Sequence, residues 1–366
     1  MKKVLAVALA AVMVLSLAAC GAAPAAKEEA APAATEAAKE EAKEEAAPAA
    51  EEAAPAAEAA EEKGPMKLGF CNMSSGNPVF YDLELGVKET AEALGVEVQW
   101  VAPATADAVQ QAALIEQLAN TGVDAMGVVP YMETLETTMK AVSDQGIYVA
   151  EVSGSDIKYD GLSFAVGTDQ HGVGRDVGKL ACEKLTEDKT YKVAVITDLL
   201  GGPGFEYRCE GFFEALDEAG IKYEEVAKLS CEDDINKAVE AVESYTATNE
   251  VDVWFFAGGW PLMAETSALP TLKKWHEEEG HWCFSVDAFP PMEAFFDEGI
   301  CDGCSGQFYY NMGKLTVEYL LALYNGEELP APDEVLEHDV PFYSSGTLAV
   351  PADSYKDVFT TMTPWN

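Results

Sequence analysis

Residues Gly161–Leu185 read GLSFAVGTDQHGVGRDVGKLACEKL, and the fold turns on this stretch. Leu162–Val166 has the apolar character of a buried strand, Gly167-Thr168-Asp169 that of a turn, and the remainder that of a helix. Thr168 or Asp169 caps the helix, since either side chain accepts from a backbone N–H two or three residues on. Gly172, Gly174 and Gly178 leave three helical positions without side chains, which lets another backbone come close. The stretch reads as a passage from one lobe to a second, with a hinge at the turn and a ligand cleft between the lobes.

The same letters carry a competing reading. Gly172-Val173-Gly174 and Gly178 follow a strand and sit on a helix, as in a loose dinucleotide fingerprint. Asp198 closes the next strand where a ribose-binding carboxylate would stand. The spacing is not G-x-G-x-x-G, however, and the glycines begin about five residues past the strand rather than in a tight turn. The N-terminus also points to a compartment without nicotinamide cofactors, so no cofactor is expected.

Lys2 and Lys3 precede an apolar run from Val4 to Leu17, and Ala18-Ala19-Cys20 follows. The run is short for a membrane span and has the layout of a secretory signal. Leu17-Ala18-Ala19-Cys20 resembles a bacterial lipobox, so residues 1–19 read as a lipoprotein signal peptide and Cys20 as the lipidated residue. Several acyl chains on one residue hold a protein on a membrane where one chain would not. Gly21–Gly64 is almost entirely Ala, Glu, Pro and Lys, without an aromatic residue. Such a segment buries too little apolar surface to offset its ordering entropy, so 20–64 reads as the lipidated cysteine and a disordered spacer.

From Pro65 onward the chain is long enough for two domains. The whole sequence carries a net charge of −41, most of it beyond the spacer. That acidity opposes binding to nucleic acid or to anionic lipid through surface charge. Besides Cys20 there are seven cysteines, an odd number that excludes complete internal pairing. Cys71, Cys182 and Cys283 sit in strand or helix patterns as small core residues do. Cys301-Asp302-Gly303-Cys304 is a lone C-x-x-C, read as a tight turn or a disulfide position rather than zinc or a redox centre.

Apolar strands alternate with amphipathic helices along the rest: strands at 67–73, 96–101, 124–129 and 147–152, helices at 79–94, 106–121 and 133–145. After Gly161–Leu185 come strands 192–197, 222–228, 251–257, 282–286 and 303–309. Helices 205–219, 233–246, 262–278 (disturbed by Pro270), 292–298 and 312–324 lie among and after them. Repeated β-α units with near-continuous apolar strands imply parallel sheets covered on both faces, here one sheet per half. The first lobe spans 65–167 plus about 308–334, and the second 168–307 plus about 335–366.

Ligands of such sheets bind beyond the carboxyl ends of the strands. The residues there are Asn72–Tyr81, Pro130-Tyr131, Ser153–Asp156, Asp198–Phe205, Gly258-Gly259-Trp260, Asp287–Pro291 and Gln307–Tyr310. Aromatic faces with amides and carboxylates suit a neutral polyhydroxylated ring, whose C–H face stacks while its hydroxyls donate.

At these residues the chain resembles a bacterial solute-binding protein of the ribose/galactose-binding type (periplasmic binding protein type 1), a family related to lactose-repressor-type sensor domains. The resemblance covers most of Met66–Leu329. It rests on Ser75-Gly76-Asn77-Pro78-Val79-Phe80, on Val166-Gly167-Thr168-Asp169 with Gly174-Arg175, on Cys209-Glu210-Gly211-Phe212, and on Ser285-Val286-Asp287. It implies an α/β protein of two Rossmann-like lobes joined by a three-crossing hinge. Such a protein closes on a sugar and delivers it to an ABC permease, acting as a monomer without catalysis. Among the residues it implies as ligand contacts, Asn77 and Phe80 belong to the first lobe, Asp287 is a second-lobe carboxylate, and Gln307 is a hinge-side amide. Asn77 before Pro78 is also a good helix cap, Phe80 also suits a core, and Asp287 also suits a cap. Tyr81 suggests an aromatic-lined mouth.

The departures are specific. Ser153-Gly154 stands where ribose binders have Asp-Arg, Gly259-Trp260 where they have Asn-Asp, and a family arginine falls near Glu206. Arg175 and Arg208 are the two arginines of the chain, and Arg208 is the candidate pocket guanidinium. These differences speak against ribose and against an anionic ligand. Trp260 adds a stacking face that, with Glu206 and Asp287, would cage an amine. Alternatives to sugar transport are a sensor lipoprotein for a signalling partner and a binder of an amine, nucleoside or quorum signal. An enzyme is disfavoured: the sequence has no G-x-S-x-G elbow, H-E-x-x-H helix or P-loop, and its four histidines lack ligand spacing.

Overall fold

A computed structural model describes residues 64–154, 157–278 and 280–362. The signal peptide, Cys20, nearly all of the spacer and the Ser155-Asp156 pair lie outside the described residues. Within them the alternating pattern becomes two sheets.

The first sheet holds β1 (Lys67–Cys71), β2 (Glu97–Val101), β3 (Ala125–Val128), β4 (Tyr148–Ser153) and β5 (Phe164–Gly167). Its helices are α1 (Phe80–Leu94), α2 (Ala108–Ala119) and α3 (Glu136–Ser143). The second sheet begins after α4 (Gln170–Cys182). It contains β6 (Thr190–Thr197), β7 (Lys222–Ser230), β8 (Val253–Phe256), β9 (Trp282–Val286) and β10 (Gly303–Gln307). Between these strands run α5 (Pro203–Glu218), α6 (Ile235–Thr248), α7 (Pro270–His276) and α8 (Glu293–Asp297). The chain then returns through α9 (Tyr309–Asn325), β11 (Glu334–Val335) and β12 (Pro341–Ser344), and ends with β13 (Thr347–Pro351) and α10 (Tyr355–Met362).

Strand order is β11-β12-β5-β4-β3-β1-β2 in the seven-stranded sheet and β13-β10-β9-β8-β6-β7 in the six-stranded one. All neighbours pair parallel except β11 with β12 and β13 with β10. The sheets are therefore mixed but mostly parallel. β8, Val253–Phe256, is buried at every position, as expected of a strand sandwiched between helices. One of its faces stacks Phe255 on Phe212 of α5, with ring centroids 4.1 Å apart.

Three crossings join the lobes, at 168–169, at Phe308 and at 345–346. The third falls about ten residues later than the 335 boundary expected from sequence, because β12 pairs parallel with β5 of the first sheet before the chain leaves it. A second correction concerns the helix expected at 262–278. The chain makes 3-10 turns at Trp260–Met263 and Thr266–Ala268, and a helix starts only at Pro270. Proline at the first helical position lacks only an N–H that would be unpaired there anyway, so it begins a helix more readily than it sits within one.

The helix of Gly161–Leu185 is capped by Asp169, whose carboxylate accepts from Gly172 N–H at 2.9 Å. α4 lies directly on α5. A Cβ built on Gly174 would sit 2.0 Å from the carbonyl oxygen of Arg208, and one on Gly211 would sit 2.1 Å from that of His171. The first lobe repeats the device: a Cβ on Gly86 of α1 would lie 2.2 Å from Tyr310 O, and one on Gly313 of α9 would lie 2.4 Å from Leu83 O. Each lobe thus packs the helix entering from the hinge against the helix after its first strand. Glycine sits at both contacts because any side chain there would meet backbone.

All seven cysteines of the described residues are free thiols. Cys301 and Cys304 form neither the expected disulfide nor a tight turn: the turn comes earlier, at Glu298-Gly299, Cys304 lies in β10, and both thiols are buried, that of Cys301 leaning on Gly303 O at 3.6 Å.

Candidate functional site

The carboxyl ends of the parallel strands carry a cluster of the buried polar groups among the described residues. Asn72 follows β1, Thr168 follows β5, Asp198 follows β6, Asp287 follows β9 and Gln307 ends β10; all are buried. Ser153 at the end of β4 and Asp287 have φ of 92° and 77°, left-handed values that a non-glycine residue adopts only when its surroundings fix it.

Arg208 is the hub of the inner network. α5 carries it beneath the second-lobe strand ends, where Nε donates to Gln170 Oε1 at 2.6 Å and Nη1 to Ala257 O at 2.7 Å. Nη2 reaches Gln307 Oε1 at 3.5 Å. From there the chain of bonds runs both ways. Gln170 donates through Nε2 to the carbonyl of Ser153 in the first lobe at 2.9 Å. Gln307 donates through Nε2 to Asp287 Oδ1 at 2.5 Å and to the Tyr309 hydroxyl at 2.9 Å, while Asp287 Oδ2 accepts from Gly259 N–H at 2.9 Å. Hinge, α5 and four strand ends (β4, β8, β9 and β10) are thereby held in one arrangement. Burial, with the charge of Asp287 beside it, pushes the Tyr309 phenol well above its ordinary range, so it acts as a neutral donor.

A second group spans the lobes further out. Asp233, with φ of 51°, stands just before Asp234, which caps α6. With capping assigned to its neighbour, Asp233 turns its carboxylate into the cleft. It accepts from Asn77 Nδ2 at 2.7 Å, Ser74 Oγ at 2.9 Å and Trp260 Nε1 at 2.9 Å. Two of those donors belong to the first lobe and one to the second. Burial raises the Asp233 carboxyl, and hydrogen bonds from Trp260, Asn77 and Ser74 draw it only part of the way back. Beside it, burial and then the charge of Asp233 push Asp198 up to about 7. Asp198 Oδ1, Asn72 Oδ1 and Thr168 Oγ1 are buried and make no hydrogen bond within the described protein.

Aromatic rings close the space. Phe80 meets Tyr309 edge to face at 6.0 Å, and Phe205 packs on Trp260 at 5.5 Å. Tyr131 of the first lobe lines two cavities that continue the cleft. One, of 210 Å³, is shared with Leu199 and Phe205; the other, of 440 Å³, is shared with Ser74 and Asp233.

Residues 68–328 match the family described as periplasmic binding protein domain. The chain belongs to that family. Among solved structures it is similar to a solute-binding protein from Burkholderia graminis in complex with D-arabinose, at 22% identity and a TM-score of 0.67 over 79% of this chain and 96% of that one. It is likewise similar to one from Agrobacterium radiobacter in complex with D-arabinose (15%, 0.70, 82% and 99%) and to a glucose-galactose binding protein from Geobacillus stearothermophilus (18%, 0.68, 80% and 99%). No curated protein matches the sequence. The two-lobed fold, the expected family and a binding rather than catalytic protein are thus in place, and the family is extracytoplasmic. Among the described residues no helix is long and apolar enough to cross a membrane, and no His, Cys, Asp and Glu group could hold a metal ion.

In this binding protein seven of the nine residues singled out from sequence come together at the strand ends: Asn77, Phe80, Ser153, Arg208, Trp260, Asp287 and Gln307. Ser153 contributes its carbonyl rather than its hydroxyl. Tyr81 stands at the outer edge, lining a surface cavity with Asn77 and Phe80, and Glu206 does not join them. Tyr81 is 62% exposed on α1, because its neighbour Phe80 takes the inward position. Glu206 binds Lys228 of β7 at 2.6 Å and accepts from Gly201 N–H at 3.2 Å; burial would raise its carboxyl, but these partners hold it below the ordinary range. It closes the loop before α5 rather than a cage around Trp260. Sequence reasoning missed Asp233 and Gln170, and named Ser74 and Tyr309 only within the longer strand-end stretches Asn72–Tyr81 and Gln307–Tyr310. The signal for Asp233 was the pair Asp233-Asp234, in which one carboxylate caps the helix and leaves the other free.

Proposed function

We propose that this binding protein captures a sugar or similar small polar solute between its lobes and hands it to an ABC permease, while an acylated Cys20 holds it at the outer face of the membrane. The observation that carries this reading is the convergence of Asn77 and Ser74 from one lobe with Asp233, Trp260, Asp287 and Gln307 from the other. Polar groups fixed by their own network, flanked by rings, suit a solute that offers hydroxyls to carboxylates and a C–H face to aromatics. The sugar-bound relatives support the solute class, and the sequence Leu17–Cys20 supports the anchor. A solute that contacts both lobes stabilises the closed form by its differential affinity, and that form is what a permease would read.

Native mass spectrometry of the mature protein, followed by calorimetry with a panel of sugars and small polar solutes, tests the reading. The expected result is one solute per chain at micromolar affinity or better, about −8 kcal/mol. Turnover of the bound solute, or no binding across the panel, contradicts it.

A further inference from the structure

We propose that the solute carries a protonated amine, received by the carboxyl groups of Asp198 and Asp233 where β6 and β7 meet the cleft. This deepens the reading above and rests on it.

The first ground is charge balance. Asp198 and Asp287 are buried, at 1% and 5% exposure, Asp233 is half-buried, and among the described residues none of the three is in a salt bridge. Asp233 is served by an amide, a hydroxyl and an indole N–H, and Asp287 by an amide and a backbone N–H, all neutral donors. Arg208, the guanidinium of the site, gives its bonds to Gln170, Ala257 O and Gln307, all neutral acceptors, and its charge offsets the raising of the Asp198 carboxyl only in part. Uncompensated buried charge is costly, and hydroxyl dipoles would leave the net charge in place where an ammonium cancels it.

The second ground is independent of that count. Asp198 Oδ1 and Asn72 Oδ1 are acceptors without a donor, in residues 1% and 2% exposed. At Asp198 and Asn72 the site therefore asks for N–H or O–H groups. Backbone bonds from Cys231 N–H to Thr197 O and from Glu232 N–H to Asp198 O, at 2.9 and 3.0 Å, draw the Asp233 loop alongside Asp198. The groups facing Asp198 are Asp233, Glu232, Arg208, Cys231 and, from the first lobe, Tyr131. In the absence of a cation its carboxyl is held up to about 7, so an arriving ammonium meets a group ready to ionise. The rings of Tyr131 and Phe205 line the adjoining cavity and offer faces to a cation.

Calorimetry on the mature protein with matched pairs tests this: D-glucosamine against D-glucose, D-galactosamine against D-galactose, and D-mannosamine against D-mannose. Salt at about 0.3 M screens the diffuse attraction of an acidic protein for cations. The amine should bind at least tenfold more tightly than its neutral partner in the pair that binds best. Asp198→Asn and, separately, Asp233→Asn should each reduce that preference severalfold, whatever either change does to the affinity for the neutral sugar itself. A neutral sugar that binds as tightly as its amine, or a preference unchanged in both variants, overturns the amine and leaves solute binding standing. No binding by any member of the panel overturns both.

Discussion

Asp233 and Asn77 meet across the cleft from opposite lobes, carboxylate to amide at 2.7 Å, although 156 positions separate them in the chain. The same carboxylate accepts from Ser74 and Trp260, so one side chain ties the loop after β1 of the first lobe to the turns after β7 and β8 of the second. Hydrogen bonds to a charged group contribute about 1.5–3 kcal/mol each. Asp233→Ala leaves an amide, a hydroxyl and an indole N–H without their acceptor. The ligand-free protein should then open, seen as a larger radius of gyration in small-angle scattering, and solute affinity should fall at least tenfold. Unchanged scattering and affinity together would show that this contact does not govern closure.

Asp287 and Trp260 contribute to the site in different ways, one through its carboxylate and one through its ring. Asp287→Ala and Trp260→Ala should each weaken solute binding tenfold or more, ~1.4 kcal/mol, measured by calorimetry. If both variants bind as the parent does, the solute sits elsewhere.

Gly174 and Gly172 lie two residues apart on α4 and should respond unequally to alanine. At Gly174 the new Cβ would meet backbone of α5 at 2.0 Å, whereas at Gly172 it would meet the side chain of Asp169, 2.3 Å away, which can rotate. Overpacking costs typically 1–3 kcal/mol. Gly174→Ala should lie at or above the top of that range and Gly172→Ala below about 1.5 kcal/mol, read from urea unfolding midpoints. Equal losses would mean that the α4–α5 contact is not as close as described.

The raised Asp198 carboxyl makes stability depend on pH. Its folded value is about 7, against about 3.9 in an unfolded chain. Between those values the folded protein keeps a proton that the unfolded chain has released. Stability therefore falls as pH rises from about 4 to about 7. Asn cannot ionise, so ligand-free Asp198→Asn should match the parent near pH 4 and exceed it at pH 8, by at most roughly 4 kcal/mol. A variant less stable than the parent at pH 8 would contradict the assignment.

Much of the fold was legible because both of its signals are local. Apolar strands alternate with helices, and the turn with its cap and glycines at Gly167–Gly178 lies within a dozen residues. The capping choice between Thr168 and Asp169 needed coordinates, since both side chains can reach. The late third crossing was hidden because β11 and β12 are short, and nothing local to Pro341–Ser344 says that it pairs with β5. At the site, strand-end logic found Asp287, Gln307 and Trp260, each at or just past the end of a buried strand. It missed Asp233 because the sequence places β7 as ending at Lys228, whereas the strand runs to Ser230 and its tip lies further on. It misplaced Glu206 because the partner that removes it, Lys228, is 22 positions away on another element.

Hydrogen exchange of the mature protein, with and without the solute that native mass spectrometry identifies, reaches the central claim most directly. Binding between the lobes should slow exchange together in Asn72–Phe80 of the first lobe and in the 231–234 and 258–260 segments of the second. Protection confined to one lobe, or to segments away from the strand ends, would contradict a solute held between them.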